Sequence, residues 1–236
     1  MLPDVDQIIA NIEDRRVDQI ASVRRKLNDL LIVMNVLDLV QGTRDPFHYT
    51  KLMFFVDHNA YEKQVHGLNA PFFVYTHGAY SKELDQMHHA LWSAGALNST
   101  QAIFAELSET GRKHLQTANR ITGFETSQQH AIIRAVVDEY AGKSGQELLA
   151  EHLTTIVKGR TISAMKAAGQ FNEELYSGAD FEQFASGLDG LEDAIVLRAF
   201  DALAFPETFE RGDALEFTEV EYDEPSGAFV PAASAD

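Results

Sequence analysis

Residues 81–118 carry the pattern that most constrains the fold of this chain. Ser81 is a good N-cap for a helix that is acidic in its first turn, and Gly95 stops that helix. Two short extended segments around an Asn-Ser-Thr-Gln turn follow, and Ser108 opens another helix. The order of helix, hairpin and helix is typical of the second half of a winged helix, although an unrelated helix–hairpin–helix unit has the same order.

The segments before this unit are predicted to be mostly helical. Residues 5–41 have a helical pattern with a break or bend near 18–23, so they form either one long helix or a hairpin. A second helix is predicted at about 49–66, and residues 70–76 form an extended, β-rich segment. The sequence His-Gly-Ala-Tyr at 77–80 is then expected to turn the chain.

The sequence changes character beyond residue 123. Helices are predicted over 126–140, 144–157 and 191–203, and residues 159–187 are expected to be irregular and glycine-punctuated, with short helical pieces. From about Asp213 the chain is acidic and contains Gly, Pro and Ser, so this tail is predicted to be flexible.

Together these patterns predict an α+β fold that is predominantly helical, with a winged-helix-like core, a small β-hairpin and a helical C-terminal extension. The predicted parts are an N-terminal helix (1–23), a winged-helix-like domain (24–157), a helical extension (158–212) and an acidic tail (213–236).

The chain has 236 residues and no cysteine. Disulfides, thiolate nucleophiles and zinc sites with sulfur ligands are therefore excluded. The acidic N-terminus lacks the charge order of a signal peptide. The longest apolar stretch, Leu30 to Val40, is interrupted by Asn35 and Asp38 and is too short to span a bilayer. We therefore expect a cytoplasmic protein with no membrane partner.

The formal net charge of −17 is concentrated in the second half of the chain. Residues 1–120 hold 12 Lys and Arg against 14 Asp and Glu, whereas residues 121–236 hold 7 against 22. Affinity for DNA phosphates cannot come from such a chain as a whole, so nucleic acid is not an expected partner of the protein on its own. The acidic excess serves either solubility or the occupation of a basic site on a protein partner.

Two segments carry a resemblance to a known family. Tyr-Thr-Lys-Leu-Met-Phe-Phe at 49–55 is followed by Tyr-Thr-His-Gly-Ala-Tyr-Ser-Lys-Glu-Leu at 75–84. This arrangement resembles the SocA-like antitoxin domain, also called Panacea, and is similar to uncharacterised bacterial proteins of the YwgA type. The likeness covers roughly residues 27–155. Ala79 stands where the family usually has proline, so the turn loses a fixed φ angle.

The resemblance implies a protein-binding role. Antitoxins of this family neutralise a partner toxin by direct contact, and one type delivers the toxin to a protease. We therefore expect a folded surface that occludes a protein toxin encoded nearby, and a homo-oligomer is left open. The expected partner-binding residues are His77, Gly78, Tyr80, Ser81, Lys82, Gln86 and His89.

A winged-helix transcriptional regulator is an alternative, because such proteins insert a helix into the major groove of DNA. The helix after residue 81 carries Lys82, Gln86 and His89, but two carboxylates lie in its first turn. The hairpin segment 97–105 contains no Lys or Arg and is therefore poorly equipped for phosphate contacts. An acidic phage or host-defence accessory protein that blocks a basic site is a further alternative.

The sequence contains no pattern typical of catalysis or cofactor binding. It has no Gly-rich phosphate loop, no Gly-x-Ser-x-Gly and no His-Glu-x-x-His. Asp57-His58 and His88-His89 are adjacent pairs, and adjacent residues on a helix diverge by about 100°, so neither pair is expected to share a metal. We therefore expect no enzyme activity, no cofactor and no metal.

Overall fold

The structure, a computed structural model, describes residues 5–41, 46–98, 106–203, 220–222 and 229–231, with side-chain surroundings within 16–41, 48–98 and 106–203. The described helices are α1 Val5–Val40, α2 Pro46–Glu62, α3 Lys82–Ser93, α4 Glu109–Thr122, α5 Gln128–Tyr140, α6 Gly145–Thr154, α7 Ile162–Ala167, α8 Gly178–Phe181 and α9 Asp193–Leu203. The strands are β1 Phe72–Tyr75, β2 Gly78–Tyr80, β3 Ile156–Val157, β4 Arg160–Thr161, β5 Glu174–Tyr176, β6 Val220–Tyr222 and β7 Phe229–Pro231. The prediction of a predominantly helical α+β chain is confirmed, and the structure contains a small antiparallel sheet.

Helix α1 is a single helix of 36 residues, so the predicted break near 18–23 is wrong. Its sequence contains neither glycine nor proline, the usual causes of a sharp kink. Residues 16–19 are exposed, whereas residues 27–37 are buried. The helix therefore runs through the predicted boundary between residues 23 and 24. Among the described residues, no helix is both long enough and apolar enough to cross a membrane.

The apolar core is built around the second half of α1 and nearly the whole of α2. Helix α1 packs against α4, α5 and α9, and α2 packs against α5 and α6. Two aromatic side chains of α2 reach neighbouring elements. Phe55 stacks on Tyr140 with ring centroids 4.1 Å apart, and Phe54 contacts Phe72 edge-on at 5.7 Å. Helix α2 lies at the centre, because its residues 51–57 are all buried and it is therefore covered on nearly every side.

Three short antiparallel strands form the main sheet, in the order β2-β1-β5. Phe73 of β1 lies opposite Tyr80 of β2, and Val74 lies opposite Ala79. Strand β2 occupies residues that the sequence predicts as a turn, and the chain reverses instead at 76–77. The predicted turn is therefore displaced by about two residues towards the N-terminus.

The range 159–187, which the sequence predicts to be irregular, contains β4, α7, β5 and α8. Strand β5 pairs with β1, with a register shift between Phe72 and Phe73. A strand of three residues shows too few alternations to be recognised by period, and its partner is about a hundred residues away in the chain. The predicted C-terminal extension thus supplies one strand of the central sheet rather than a separate unit.

Three helices begin where serine N-caps predict them to begin. The hydroxyl oxygens of Ser81, Ser108 and Ser144 each accept a hydrogen bond from the backbone N–H three residues later. Between α3 and α4, Leu97 and Leu107 form an antiparallel bridge at the base of the predicted hairpin. The tip of that hairpin lies outside the described residues.

Helix α9 joins the C-terminal extension to the core by packing on α1 and α4. Arg24 of α1 donates hydrogen bonds to the carbonyl oxygens of Leu188 at 2.7 Å and Leu191 at 3.0 Å, and it pairs with Asp193. Residues before and after the predicted boundary at residue 158 therefore pack against each other. Within the predicted acidic tail, β6 and β7 pair with each other, and the remaining tail residues lie outside the described residues.

A buried hydrogen-bond network fixes the loop between α2 and β1. Gln129 of α5 donates to Asn28 Oδ1 at 2.8 Å and to the carbonyl oxygen of His66 at 2.7 Å, and it accepts from the N–H of Gly187. Asn28 donates in turn to the carbonyl oxygen of Gly67 at 2.8 Å. Buried polar groups that pair in this way specify one arrangement of the helices around them.

Two buried carboxylates hold the same loop. Asp29 accepts the backbone N–H groups of Asn69 at 2.8 Å and Ala70 at 3.1 Å, and Asp57 accepts that of Leu68 at 2.7 Å. Burial raises the pKa of both acids, and the hydrogen bonds that they accept oppose this rise. The loop therefore reaches β1 in a fixed position.

We predict that Gln129→Ala lowers the free energy of unfolding by roughly 2–4 kcal/mol, because the change removes the partner of one buried and two partly buried polar groups. The adjacent Gln128 is exposed, so Gln128→Ala is a matched control, with an expected change below about 0.5 kcal/mol. Urea denaturation followed by circular dichroism measures both values. Equal effects of the two substitutions would contradict the assigned network.

Candidate functional site

The predicted partner-binding residues lie around the β1–β2 hairpin and on α3. Lys82 is exposed, and His77, Tyr80, Gln86 and His89 are half-buried. Three of them follow one another on the same side of α3, because their spacing of four and then three residues matches the helical repeat. The structure therefore places these five residues on the hairpin and on the helix that directly follows it.

Gly78 and Ser81 are buried, which corrects their expected role as contact residues. Gly78 has a φ of +95°, and a Cβ atom there would overlap the imidazole of His152. The hydroxyl of Ser81 accepts the N–H of Leu84 at 3.4 Å and caps α3. Both residues shape the surface from below and offer no side chain to a partner.

The outward side of the hairpin carries three aromatic side chains, which we call the aromatic face: Phe73, Tyr75 and Tyr80. Phe72 and Val74 alternate with them and are buried, whereas Tyr75 is 51% exposed. The alternation follows from the two-residue repeat of a strand. Of these three residues, only Tyr80 is among the partner-binding residues expected from the sequence. The apolar run at 72–75 shows the alternation of a strand and could have indicated the other two.

Tyr80 connects the aromatic face to α3. Its hydroxyl donates a hydrogen bond to Asp85 Oδ2 at 3.1 Å, and its ring centroid lies 5.5 Å from that of Tyr75. Burial and the nearby charge of Asp85 raise the pKa of the Tyr80 hydroxyl, so it remains protonated and can donate this bond at neutral pH. The hairpin and the first turn of α3 therefore form one continuous surface.

Two buried side chains close the outer edge of β2. The N–H of Ala79 donates to His152 Nε2 at 2.6 Å, and Lys51 Nζ donates to the carbonyl oxygen of Ala79 at 2.9 Å. Val74, opposite Ala79, bonds instead towards the β5 side of the sheet. Ala79 therefore presents its backbone groups outwards, where a further strand would pair with them. The lysine and the histidine take the place of that strand.

Burial lowers the pKa of both side chains, which favours their uncharged forms. Burial first, and the charge of Lys51 second, lower the pKa of His152 well below 6.5, so its Nε2 accepts a hydrogen bond as neutral imidazole. Its Nδ1 has no hydrogen-bond partner among the described residues. Burial and the charge of Lys166 lower the pKa of Lys51 to about 7.

A lysine with a lowered pKa is a nucleophile in some enzymes, but the surroundings of Lys51 do not favour chemistry. The side chain is only 2% exposed, and its amine is already bonded to a carbonyl oxygen. The ring of Phe54 packs edge-on against His152 at 4.3 Å. No space for a substrate is left between these groups, so we assign both to the support of β2.

This arrangement explains why the two segments at 49–55 and 75–84 occur together. Lys51 belongs to the first segment and Ala79 to the second, and they are joined by a hydrogen bond. A proline in place of Ala79 could not donate the bond to His152, because proline has no N–H. The alanine in this chain therefore adds a contact between β2 and α6.

Asp57 and His58, which are adjacent in the sequence, lie in different surroundings, as their helical spacing predicts. Asp57 faces the loop before β1, whereas Nδ1 of His58 lies 2.9 Å from the hydroxyl of Tyr176. No group of three or more metal-ligating side chains comes together within the described part of the chain. The recess between α1, α2 and α5 leaves essentially no room even for a water molecule, whereas a ligand pocket has roughly 300–1,000 Å³.

No protein-family model matches this chain, and no curated protein or solved structure matches it either.

We predict that Gly78→Ala destabilises the fold more than Gly95→Ala does. Both glycines have a positive φ, so both substitutions carry a strain of about 1 kcal/mol. A Cβ atom at residue 95 would meet nothing within 4 Å, whereas one at residue 78 would overlap His152. Thermal unfolding of both variants measures the difference. A loss at residue 78 no larger than that at residue 95 would contradict the close approach of β2 to α6.

We predict that the wild type loses stability relative to His152→Gln as the pH falls from 6.5 to 5. The unfolded chain takes up a proton at the histidine in this range, whereas the folded chain, with its lowered pKa, does not. The relative loss approaches about 1.4 kcal/mol per pH unit, or about 2 kcal/mol in total. Lys51 and Lys166 face the imidazole, and His58 acts on it from α2, so the folded state resists its protonation.

Glutamine keeps an acceptor for the N–H of Ala79 but does not titrate, which makes it the appropriate replacement for His152. Urea denaturation at several pH values measures the two curves. The lowered pKa of Lys51 acts above pH 7 and therefore leaves this window undisturbed. Parallel curves for the two proteins would contradict a buried neutral His152.

Proposed function

We propose that this chain is a non-catalytic, antitoxin-like protein of the cytoplasm that binds a partner protein toxin and neutralises it by direct contact. The observation that carries the proposal is the hairpin β1–β2. Its solvent-facing side carries aromatic residues, and the outer edge of β2 is bonded to buried side chains at Ala79. Exposed apolar residues that cluster on a folded surface are typical of protein interaction sites.

The rigidity of the hairpin supports the proposal. Its edge strand is bonded to Lys51 and His152, and its exit is fixed by the N-cap of α3. A surface that is already ordered loses little conformational entropy on binding, so more of the contact energy is available for affinity. A toxin would therefore meet a preformed surface.

Helix α3 extends this surface. Lys82, Gln86 and His89 occupy one side of the helix, and Trp92 is 38% exposed one turn beyond His89. Tryptophan and tyrosine are among the residues that contribute most to protein–protein affinity. The proposed contact therefore consists of the aromatic face and the exposed side of α3.

We also propose that α3, the hairpin based at Leu97 and Leu107, and α4 act as a winged-helix-like unit whose helix α3 faces a protein. The order of these elements and the bridge between the two leucines support this view. The first turn of α3 carries Glu83 and Asp85, which would repel the phosphates of DNA. The charge thus favours a protein partner over a nucleic acid.

The proposal predicts that a product of a gene adjacent to this one arrests growth and that co-expression of this protein restores growth. The variant Lys82→Glu with Gln86→Ala is expected to lose most of this rescue. The control is Arg134→Glu with Gln128→Ala, which makes the same chemical changes at exposed positions of α5 and should rescue fully. Growth curves measure the rescue, and circular dichroism checks the fold of both variants.

Two results would overturn the proposal. One is a protein that shifts its own promoter DNA at physiological salt and binds no product of an adjacent gene, which would support the regulator instead. The other is a neutralised toxin whose rescue is lost equally with the α3 variant and the α5 control, which would overturn the assigned contact surface on α3.

A further inference from the structure

We infer that the aromatic face receives an arginine side chain of a basic protein partner. This inference rests on the proposed function and names the chemistry of the partner surface. The arginine guanidinium would lie on the rings of Tyr75 and Tyr80, next to the carboxylates at the start of α3.

The first argument concerns the composition of the sheet. The solvent side of an antiparallel sheet is normally polar. Here Phe73, Tyr75 and Tyr80 lie on that side, whereas Val74 and Ala79 lie on the buried side. Two of the three rings are already in contact, with the planes of Tyr75 and Tyr80 tilted by 35°. The surface therefore offers aromatic rings to a partner.

The second argument is the sign of the surrounding charge. Asp85 accepts a hydrogen bond from the hydroxyl of Tyr80, and the charges of Asp85 and Glu83 both act on that phenol. Glu174 is exposed on β5, directly opposite Phe73. A cation on these rings would thus have carboxylates nearby, and Lys82 is the basic residue of the same helical turn.

The third argument is the nature of the cation. Guanidinium and ammonium groups are attracted to the faces of aromatic rings, and arginine does so more often because its planar group stacks on the ring. A phenol that donates a hydrogen bond to a carboxylate presents a more electron-rich ring to the cation. Arg160 of this chain is already paired with Glu173, so a partner would supply the arginine.

The overall charge of the chain fits the same partner. A net charge of −17 attracts a basic protein over distance and accelerates the encounter. The same charge repels a nucleic acid, whose phosphates would also meet Glu83 and Asp85. Charge complementarity therefore selects a basic protein surface for the aromatic face.

The test is a nuclear magnetic resonance titration of the full chain with the capped tripeptide Gly-Arg-Gly at physiological salt. The aromatic carbons of the tyrosines are labelled, and the peptide Gly-citrulline-Gly, which keeps the shape but not the charge, is the matched ligand. We expect saturable shifts of Tyr75 and Tyr80 with the arginine peptide. The citrulline peptide should leave these resonances nearly unchanged.

Variants locate the site. Tyr75→Ala and Asp85→Asn should each weaken the binding of the arginine peptide about two- to fivefold, as expected for a partly exposed cation–π contact and its neighbouring charge. Tyr75→Phe keeps a ring and should bind nearly as the wild type does. Ile156→Ala removes a side chain that is 60% exposed on the other hairpin, β3–β4, and should have no effect.

Equal shifts with the citrulline peptide, or shifts spread over the acidic surface without saturation, would overturn the inference. Identical shifts with a short single-stranded DNA would overturn it as well, in favour of a nucleic acid. Its failure is distinguishable from that of the proposed function. If Tyr75→Ala still rescues growth from an adjacent toxin as well as the wild type does, only the arginine site is wrong. If no adjacent product is neutralised while the tyrosines still bind arginine, only the antitoxin role is wrong.

Discussion

The pairing of Ala79 with two buried side chains is the interaction on which the rest of this region depends. Lys51 comes from α2 and His152 from α6, so the edge of β2 is joined to both helices of the core. Without these bonds a buried N–H and a buried carbonyl would be left unpaired, each costing about 1–3 kcal/mol. The position of β2 fixes the chain reversal before it and the N-cap of α3 after it. The geometry of the candidate surface therefore depends on the two hydrogen bonds of the Ala79 backbone.

The chemistry of this pairing dictates which side chains can serve. A carbonyl oxygen needs a donor, which lysine supplies in either protonation state, and an N–H needs an acceptor, which histidine supplies only when it is neutral. Burial lowers the pKa of both groups and so favours their neutral forms. The desolvation that makes it costly to bury these groups thus also gives His152 the neutral state in which it can accept a hydrogen bond. Apolar replacements of similar size would pack well but would leave both backbone groups of Ala79 without partners.

Local signals were predictable from the sequence, and non-local ones were not. The caps at Ser81 and Ser108 depend only on residues within one turn, so the helix starts follow from the sequence. Strand β5 depends on a partner about a hundred residues away, and nothing in Glu-Leu-Tyr indicates it. The burial of Gly78 could not be predicted, because it follows from the approach of α6. Tyr75 was missed although its alternation with buried neighbours could have indicated it.

The two sides of the hairpin are linked by the pleat of the strand. Because successive residues point to opposite sides, the small side chain of Ala79 faces the core while Tyr80 faces outwards. The backbone bonds to Lys51 and His152 hold β2 in one register, and a slip by one residue would exchange the buried and exposed sets. The aromatic face therefore exists only while the edge of β2 stays bonded. The proposed binding surface therefore depends on the bonds of the buried pair, and a change that frees the edge would remove the surface without altering a residue on it.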